Sequence, residues 1–551
     1  MTGKILSKVA VLVMTSVLWL ATGATGFAQN RSISGTVVDP QGAPIIGASV
    51  LVVGNPSLGA VTGINGEFSM SVPGGADINV SCIGYKTVTF TVGTQSSYQV
   101  VLEEDSEFLE ETVVVGYGSH KKETLTGSIV TVKGDDLAKS PSPNLGASLQ
   151  GRLPGLIANQ RSGQPGQDDP SIKVRGFGTF GDSSPLYIID GVEREGMTRL
   201  NPEDIESITV LKDASAAIYG ARAANGVILV TTKKGQEGKA RILVDFGTSF
   251  SSPTKVPDML DAATFSEVYN EAKWYAAGRP TSNYTPAVAE SDIEKYRNGS
   301  DPVLYPNTNW IKETMKPYAL QTRTSIQASG GTDKLRYLLS FGARTQDGNY
   351  KNLDEYYNQY TMRANLEVDI TDNLTIGANI SAIISNESHS PIVGVTNFTN
   401  ILIADPRLVA VYPNGLIAPG RLGENPLLQN QRGYSKTWKS PVYSTFTATY
   451  KVPFVKGLRV DASFNYDISN TKRKVFELPY WYHEYNVNTG EYEKKKGTGQ
   501  SMVMLRDTYN MGSNMLYNYR ITYDRTFGQH RVALMLGQEQ QISTNSSLMG
   551  Y

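Results

Sequence analysis

The chain has 551 residues, a formal net charge of -1, one cysteine and four histidines. Its 51 Lys and Arg balance 52 Asp and Glu, so it lacks the basic excess that a nucleic-acid-binding protein needs. Cys82 alone cannot form an internal disulfide or a thiolate site, and we expect neither a metal nor a cofactor. No interior apolar run reaches about 18 residues, which excludes a helical membrane bundle but not a transmembrane β-barrel.

The N-terminal segment, residues 1–28, has the order of a secretory signal peptide. Lys4 and Lys8 precede an apolar run over residues 9–21, and a patch of small residues ends at Ala28. A charged start, a short apolar run and small residues before the cleavage site are typical of exported proteins. We predict cleavage after Ala28 and export from the cytoplasm. A buried hydrophobic helix is the alternative.

Residues 29–104 are predicted to form a small all-β domain. Strand patterns and turn signals alternate about every ten residues, as in a β-sandwich. Asn65-Gly66 predicts a β-hairpin, because this dipeptide favours the tight turn between paired strands. The stretch resembles the carboxypeptidase-regulatory-like domain in SGTVVDPQGAPIIGASVLV, TGINGEFSM and VSCIGYKT. That resemblance implies a transthyretin-like sandwich that is not a peptidase.

Residues 105–118 are predicted to join this domain to the next. The acidic side chains over residues 103–111 are typical of a solvated linker. A β-branched run, Thr112-Val113-Val114-Val115, then ends at Gly116-Tyr117-Gly118. Taken alone, this run favours an ordinary edge strand.

Residues 119–238 carry mixed helix and strand signals. Strands are predicted near residues 171–175, 186–190, 204–211 and 226–232, with short helices near 145–149 and 214–217. Residues 176–181 fit the G-x-G-x-x-G pattern, but a strand rather than a helix follows, so a dinucleotide site is rejected. The chain has no nucleophile elbow, P-loop or H-E-x-x-H motif, and we do not expect an enzyme.

From residue 239 to 551 the pattern changes to long amphipathic strands. Over residues 360–370 every second side chain is apolar, and the side chains between them are polar, including Arg363 and Glu367. Residues 458–468 and 515–524 repeat the pattern, and about 9–11 such residues can cross a bilayer. Short turns alternate with long links near 252–319, 385–443 and 470–513, as in outer-membrane β-barrels. A secreted solenoid or sandwich is the alternative.

The chain closely resembles the TonB-dependent receptors of the SusC/RagA type. The blocks that carry the resemblance are ETVVVGYGSHKKETLTGSI, IKVRGFGTFGDSSPLYIIDGV and LNPEDIESITVLKDASAAIYGARAANGVILVTTKKG. The likeness is dense over residues 31–250 and looser beyond. It implies a mainly β protein of the cell outer membrane, with a periplasmic sandwich, an α+β plug domain (119–238) and a partial antiparallel transmembrane β-barrel (239–551).

The resemblance also implies candidate site residues. A TonB box would be formed by Thr112, Val113, Val114, Val115, Gly116 and Tyr117. It would add an extended strand to an exposed sheet edge of TonB, which is driven by an inner-membrane motor. The plug motif would comprise Arg175, Gly176, Gly178, Asp190, Gly191, Lys212, Asp213, Tyr219, Gly220, Arg222, Asn225 and Gly226. Charged plug residues, Lys233 and Lys234 among them, are expected to pair with Arg363, Glu367, Arg459 or Asp461 in the barrel, or within the plug.

The function implied is active import of a large nutrient, an oligosaccharide, with a SusD-like surface lipoprotein as partner. Peptide import of the RagA type is the alternative. The aromatic residues 479–485 are expected either to stack on sugars or to form a small loop core. We count about nine strands after residue 240, against about 22 in plugged barrels, so we expect the N-terminal half of a larger transporter. A truncated, non-transporting surface-binding product is the remaining alternative.

Overall fold

The computed structural model describes residues 30–82, 85–103, 112–115, 118–121, 129–140, 142, 144–197, 199–282, 284–391, 394–421, 424–528 and 530–551. The predicted signal peptide and most of the acidic linker lie outside these residues, as do Gly116 and Tyr117. The chain divides into two compact units. The first comprises Met1–Val113 and Ser119–Leu125, and the second comprises Val114–Gly118 and Thr126–Tyr551.

The first unit contains a sandwich of two β-sheets. Its strands are β1 (Asn30–Val38), β2 (Ser49–Val52), β3 (Asn55–Val61), β4 (Glu67–Pro73), β5 (Asp77–Ser81), β6 (Val88–Thr91) and β7 (Ser97–Val101). One sheet has the order β4-β1-β7 and the other has the order β3-β2-β5-β6. Alternate side chains of the two sheets, including Val37, Val50 and Ile78, fill one apolar core.

Asn65-Gly66 forms a turn, but the predicted hairpin is wrong. Gly66 has a φ of 73°, and its N–H donates to the Gly63 carbonyl at 3.0 Å. The strands on either side of this turn belong to different sheets, because β4 pairs with β1, for example Ile33 with Met70. A turn dipeptide reverses the chain locally, whereas burial in the common core decides which partner the next strand finds.

Two short strands follow, and a compact α+β domain comes after them. The short strands β8 (Thr112–Val115) and β9 (Gly118–Lys121) form a two-stranded sheet. The domain contains β10 (Ile129–Lys133), α1 (Gly134–Ala138), α2 (Leu145–Ser148), β11 (Leu156–Asn159), β12 (Ser171–Val174), β13 (Leu186–Ile189), β14 (Val192–Arg194), β15 (Ile205–Leu211) and β16 (Val227–Thr232). Its 3-10 helices are Pro202–Asp204, Asp213–Tyr219 and Ala221–Ala223.

Five strands of this domain form one sheet with the order β10-β15-β16-β13-β14, and β11 pairs with β12 as a separate hairpin. The central strands β15 and β16 are buried, and Ile208, Val210, Ile228 and Val230 lie at the centre of the core. The strands predicted near residues 171, 186, 204 and 226 are therefore all present. Two of them, β15 and β16, lie at the centre of the sheet, where their apolar runs can be covered on both faces.

The rest of the chain forms one antiparallel sheet with helices in its long links. Its strands are β17 (Gly238–Ser251), β18 (Ala319–Gly331), β19 (Leu335–Asp347), β20 (Tyr356–Thr371), β21 (Leu374–His389), β22 (Gly433–Lys439), β23 (Val442–Lys451), β24 (Leu458–Glu477), β27 (Met504–Phe527) and β28 (His530–Gly550). A separate hairpin is formed by β25 (Trp481–Asn486) and β26 (Glu491–Lys496). The links contain α3 (Ala262–Ala276), α4 (Glu290–Asn298), α5 (Trp310–Thr314), α6 (Gly394–Leu402) and the 3-10 helix Pro426–Arg432. In the described residues, no helix is both long enough and apolar enough to cross a membrane.

The sheet has ten strands, but they occupy nine positions. Strands β22 and β23 share one position between β21 and β24 and are separated only by Ser440 and Pro441. The register is continuous across the break, since Ser385 pairs with Lys439 and Ala382 pairs with Val442. The break therefore comes from proline, which has no N–H to donate to the neighbouring strand.

The strands are longer than the sequence pattern predicts. Residues 458–468 belong to the 20-residue strand β24, and residues 515–524 belong to the 24-residue strand β27. The links predicted at 385–443 and 470–513 are correspondingly shorter, because β21, β22, β24 and β27 extend into them. Those extensions do not alternate between apolar and polar side chains, so periodicity alone could not find them.

The two faces of the sheet have opposite polarity. On β20 the apolar side chains of Tyr360, Met362 and Leu366 are more than two-fifths exposed. The polar side chains between them, such as Thr361 and Arg363, are buried against the α+β domain. An apolar outward face with a polar inward face is the arrangement of a transmembrane β-barrel wall.

Candidate functional site

The inward side chains of β20 contact the α+β domain at successive levels of the sheet. We call Tyr357, Gln359, Arg363, Asn365 and Glu367 the β20 ladder. Glu367 lies nearest the short turn to β21, and Tyr357 lies nearest the link to β19. Every second side chain of a strand points to the same face of the sheet, so β20 can present all five side chains to the domain.

At the short-turn end of the ladder, the contacts are made to the residues that follow β16. The Lys234 ammonium lies 3.6 Å from the Glu367 carboxylate. The Asn365 amide donates to the Lys233 carbonyl at 3.3 Å. This end of the ladder therefore holds the segment that leads from the α+β domain into the sheet.

At the other end of the ladder, the contacts converge on Arg199. The Gln359 amide donates to the Arg199 carbonyl at 2.8 Å, and the Arg199 guanidinium lies 4.7 Å from the centre of the Tyr357 ring. Arg199 also pairs with Asp168 and Asp169 at 3.5 and 3.0 Å. Cation–π and ionic contacts together fix the loop that carries Arg199.

Arg363 lies in the middle of the ladder and is almost fully buried. Its guanidinium is 3.4 Å from the Asp190 carboxylate and 3.7 Å from the Asp204 carboxylate. It also donates to Thr232 and Asn379, both at 3.1 Å. One barrel arginine therefore pairs with two carboxylates of the α+β domain, which offsets the cost of burying its charge.

Asp190 is held in an uncommon backbone conformation. Its φ is 51°, and Gly191, the next residue in the turn between β13 and β14, has a φ of 84°. The Asp190 carboxylate accepts from the backbone N–H of Thr232 at 2.9 Å and from the Asn379 amide at 3.0 Å. A left-handed Asp is tolerated where its carboxylate is so well bonded.

Asp204 is deeply buried and ends the 3-10 helix that directly precedes strand β15. Burial raises the pKa of this carboxyl group, and the neighbouring Arg363 guanidinium opposes the rise. Removing the arginine would therefore leave a buried carboxylate without its main compensating charge.

Further ionic contacts join the domain to other strands of the sheet. Arg194 forms a two-pronged contact with Asp467 on β24, at 3.0 and 3.3 Å. Arg222 lies 2.5 Å from Glu193 within the domain and 3.8 Å from Glu539 on β28. Arg459 and Asp461, predicted as partners for the domain, instead pair with each other at 2.9 Å.

Several predicted site residues make their contacts inside the α+β domain. Lys212 is buried and donates to the Pro154 carbonyl at 2.5 Å, while Lys233 pairs with Asp135 at 2.8 Å. Asp213 starts the 3-10 helix that contains Tyr219, and Gly220, with a φ of 72°, follows it. A Cβ on Gly226 would lie 3.0 Å from the Val174 side chain, so close packing requires glycine there.

Arg175, Gly176 and Gly178 lie at the start of an exposed loop that joins β12 to β13. Arg175 has a φ of 59° and Gly176 a φ of 94°, so the chain leaves the strand through a left-handed turn. The Asn225 amide donates to the carbonyls of Asp182 and Ser184, at 2.9 and 3.3 Å. These bonds tie the loop to the segment before β16.

The run predicted as the TonB box is extended over Thr112–Val115. Its side chains lie outside what the structure describes, as do Gly116 and Tyr117. The extended backbone is the conformation that strand addition requires. The role of Thr112, Val113, Val114, Val115, Gly116 and Tyr117 stays a prediction.

The aromatic residues 479–485 belong largely to a loop core. Tyr480 is buried, with the Arg432 guanidinium 4.0 Å from the centre of its ring. Tyr485 packs 5.1 Å from Tyr492 and 6.5 Å from Tyr412. Of the two expectations for this segment, the small loop core is the one that these contacts support.

The sequence reasoning missed Arg194, Asp204 and Asp467 as individual contact residues. Asp467 was placed correctly on a polar face, but its partner lies 273 residues away in the chain. No local pattern encodes such a pairing, so only a combined view of inward charges on both domains could have suggested it. Within the described residues, no cluster of His, Cys, Asp and Glu is arranged to hold a metal ion.

Two known domain families match the N-terminal part of the chain. Residues 121–227 match the TonB-dependent receptor plug domain, and residues 33–115 match the CarboxypepD_reg-like domain. The TonB-dependent receptor P3 of Formosa agariphila is 30% identical over 540 residues, which cover 95% of this chain and 49% of that protein. SusC of Bacteroides thetaiotaomicron is 28% identical over 580 residues, which cover 98% of this chain and 52% of SusC.

A solved structure of the RagAB peptide importer in its open-open state is also similar. It has a TM-score of 0.62 and 25% identity, and the match covers 80% of this chain and 50% of that one. The chain spans about half the length of the curated relatives it matches. These matches confirm the mainly β fold class, and with the apolar outward face they establish a protein of the outer membrane. The chain is therefore a relative of the SusC/RagA-type TonB-dependent receptors, with their regulatory-like domain, their plug and a barrel-like sheet.

Proposed function

We propose that this protein imports an oligosaccharide across the outer membrane, powered through TonB and assisted by a SusD-like surface lipoprotein. The observation that carries the proposal is that the plug contacts the sheet mainly through the polar and ionic side chains described above. A bilayer strand with an apolar outward face and a charged inward face has the form of a transport channel wall. A plug held by discrete polar contacts can be displaced and can return.

In this proposal, the TonB box couples the plug to TonB. Thr112–Val115 is extended, and β-branched side chains favour that state. Strand addition to a sheet edge of TonB would form a few backbone hydrogen bonds of about 1 kcal/mol net each, which suits a transient partner. Force on the box would then reach the plug, which begins a few residues further along the chain.

The saccharide is supported by the similarity to SusC, since receptors of that type are expected to take glycans. The similarity to the RagAB peptide importer supports peptide import as the second candidate. The two candidates share the plug, the barrel wall and the TonB partner, and differ only in the substrate.

The proposal is tested by deleting residues 112–117 from the protein in its native host. We expect uptake of the substrate to be abolished while the protein stays in the outer membrane and still binds substrate at the cell surface. The measurements are growth on single glycans or peptides and binding of a labelled substrate to intact cells. Replacing an equal length of the acidic linker, residues 104–109, by Gly and Ser is the matched control and should leave uptake intact.

Uptake that survives the deletion would show that residues 112–117 do not couple the protein to TonB. Growth on peptides alone would exclude the saccharide and favour the second candidate. Loss of surface binding together with uptake would mean that the segment supports folding and not coupling.

A further inference from the structure

A small polar cavity lies between the plug and strands β18, β19 and β20 of the sheet. Its volume is about 20 Å³, which is the space of one water-sized or slightly larger particle. Polar side chains of both parts line it: Asn201 of the plug, and Arg323, Arg344, Gln359 and Thr361 of the sheet. A cavity of this size and polarity can hold a single small ion or solvent molecule, but not an organic ligand.

Gly342 on β19 keeps this space open. A Cβ at this position would lie 2.4 Å from the Thr361 hydroxyl oxygen and 3.1 Å from the Asn201 amide nitrogen. Both distances are shorter than ordinary contacts, so any side chain at this position would press into the cavity lining. The Asn201 amide donates one hydrogen to the Ser325 hydroxyl at 3.1 Å, which leaves a second hydrogen for a ligand.

The two arginines of the cavity are directly opposite each other in the sheet. Arg323 on β18 pairs with Arg344 on β19 in the strand register. Like charges at directly opposed positions of neighbouring strands are destabilising. A terminal nitrogen of Arg323 lies 3.4 Å from the Asp245 carboxylate, so this arginine has a counter-charge on β17.

Arg344 has no such counter-charge. It is only 9% exposed, and it donates to the Gln359 amide oxygen at 3.0 Å and lies 5.4 Å from the centre of the Tyr357 ring. Among the residues that the structure describes, no carboxylate lies within ion-pair distance of it; the neighbouring Asp168 pairs with Arg199 instead, at 3.5 Å. A buried cation whose contacts are both uncharged is costly unless a negative charge is supplied.

Both arginines also have an unused donor. Within the described part of the chain, the Nε–H groups of Arg323 and Arg344 are buried and have no hydrogen-bond partner. A guanidinium can only donate, so the missing partner must be an acceptor. A water molecule could accept from these groups but would bring no charge. A small anion would satisfy the donors and also neutralise the two opposed cations.

We propose that this cavity binds a single chloride ion, held by the Nε–H groups of Arg323 and Arg344. The Thr361 hydroxyl and the Asn201 amide supply further donors from the sheet and from the plug. Because Asn201 caps the 3-10 helix Pro202–Asp204, the ion holds the start of that helix against the wall. Sulfate and gluconate are too large for a cavity of this volume, so the site selects a small monovalent anion.

The first test measures the melting temperature of the detergent-purified, full-length protein in sodium chloride and in sodium gluconate. The ionic strength is kept equal, so that general screening of charges is the same in both salts. We expect chloride to raise the melting temperature by about 2 °C or more, with a saturable dependence on its concentration, because a ligand of the folded state stabilises it by mass action. Equal melting temperatures in the two salts would overturn the proposal.

The variant Arg344→Met removes the arginine that has no counter-charge. It should abolish the response to chloride, and in gluconate it should melt no earlier than the unchanged protein, because a costly buried charge is gone. Arg459→Met is the matched control: Arg459 is also a sheet arginine, but it pairs with Asp461, and its removal should leave the chloride response intact. A chloride response that survives in Arg344→Met, or a lower melting temperature of that variant in gluconate, would contradict the site.

The second test uses the unchanged protein and so does not depend on how a variant folds. Crystals grown in sodium bromide are measured at the bromine absorption edge, since bromide replaces chloride and scatters anomalously. We expect an anomalous peak within hydrogen-bond distance of the Arg323 and Arg344 Nε atoms. Density for a water molecule there, without an anomalous peak, would show that the cavity holds solvent and would refute the anion site.

Discussion

Arg363 is a side chain of the sheet that contacts three residues of the plug at once. It is buried, and it touches Asp190, Asp204, Thr232 and Asn379. Arg363→Met should therefore destabilise the plug by about 3–5 kcal/mol, because two carboxylates lose their shared counter-charge. Limited proteolysis of the plug and the melting temperature in detergent would measure this loss.

Arg459→Met is the matched control for that change. Arg459 pairs with Asp461 on the same strand, and its side chain is 45% exposed. Its removal should cost about 1 kcal/mol or less, as for other accessible ion pairs. Adding Asp190→Asn and Asp204→Asn to Arg363→Met should recover most of the lost stability, and failure to recover it would contradict the charge argument.

At the scale of the element, the sequence predicted the bilayer-crossing parts of the strands correctly. It did not predict the residues at which the strands end. Residues 360–370 alternate because lipid covers one face and the plug covers the other. The outer part of β27, residues 504–514, lacks that alternation, yet all of it pairs with β24, and residues 507–514 also pair with β28. Where water reaches both faces no side-chain period is required, so the backbone continues the sheet without a signal in the sequence.

The contacts between the plug and the sheet were predictable only as pairings of charged side chains, and the individual partners were not. The polar face of β20 was read correctly, and Asp190 and Lys234 do pair with the inward residues Arg363 and Glu367. Lys212 instead bonds the Pro154 carbonyl, and Lys233 pairs with Asp135, both within the plug. Distances of a few ångströms decide between such partners, and they follow from the packing of the whole domain.

Pro441 supplies a prediction for the same sheet. The Ile383 N–H donates to the Pro441 carbonyl at 3.0 Å, but proline has no N–H with which to return the bond. Because the register is unbroken on both sides, Pro441→Thr should join β22 and β23 and add one ladder bond, worth about 1 kcal/mol. A higher melting temperature and slower amide exchange near Ile383 would confirm it. A lower melting temperature would mean that the break itself relieves strain.

At the scale of the whole molecule, the polarity of the sheet is the reverse of that in a water-soluble protein. A charge placed on the outward face should therefore hinder insertion into a bilayer. Met362→Arg should cost about 2–4 kcal/mol near the middle of the membrane. Met362→Leu keeps the position apolar and should insert normally, as measured by folding into lipid vesicles. Equal folding of the two variants would contradict the membrane assignment of this face.

The order of contacts along β20 has a mechanical consequence. Lys234, Asp190 and Arg199 meet the strand at three depths, at Glu367, Arg363 and Tyr357 in turn. In the proposed import, a plug that separates from β20 progressively from the short-turn end would break these contacts one after another. The peak force would then be set by Arg363, which pairs with two carboxylates.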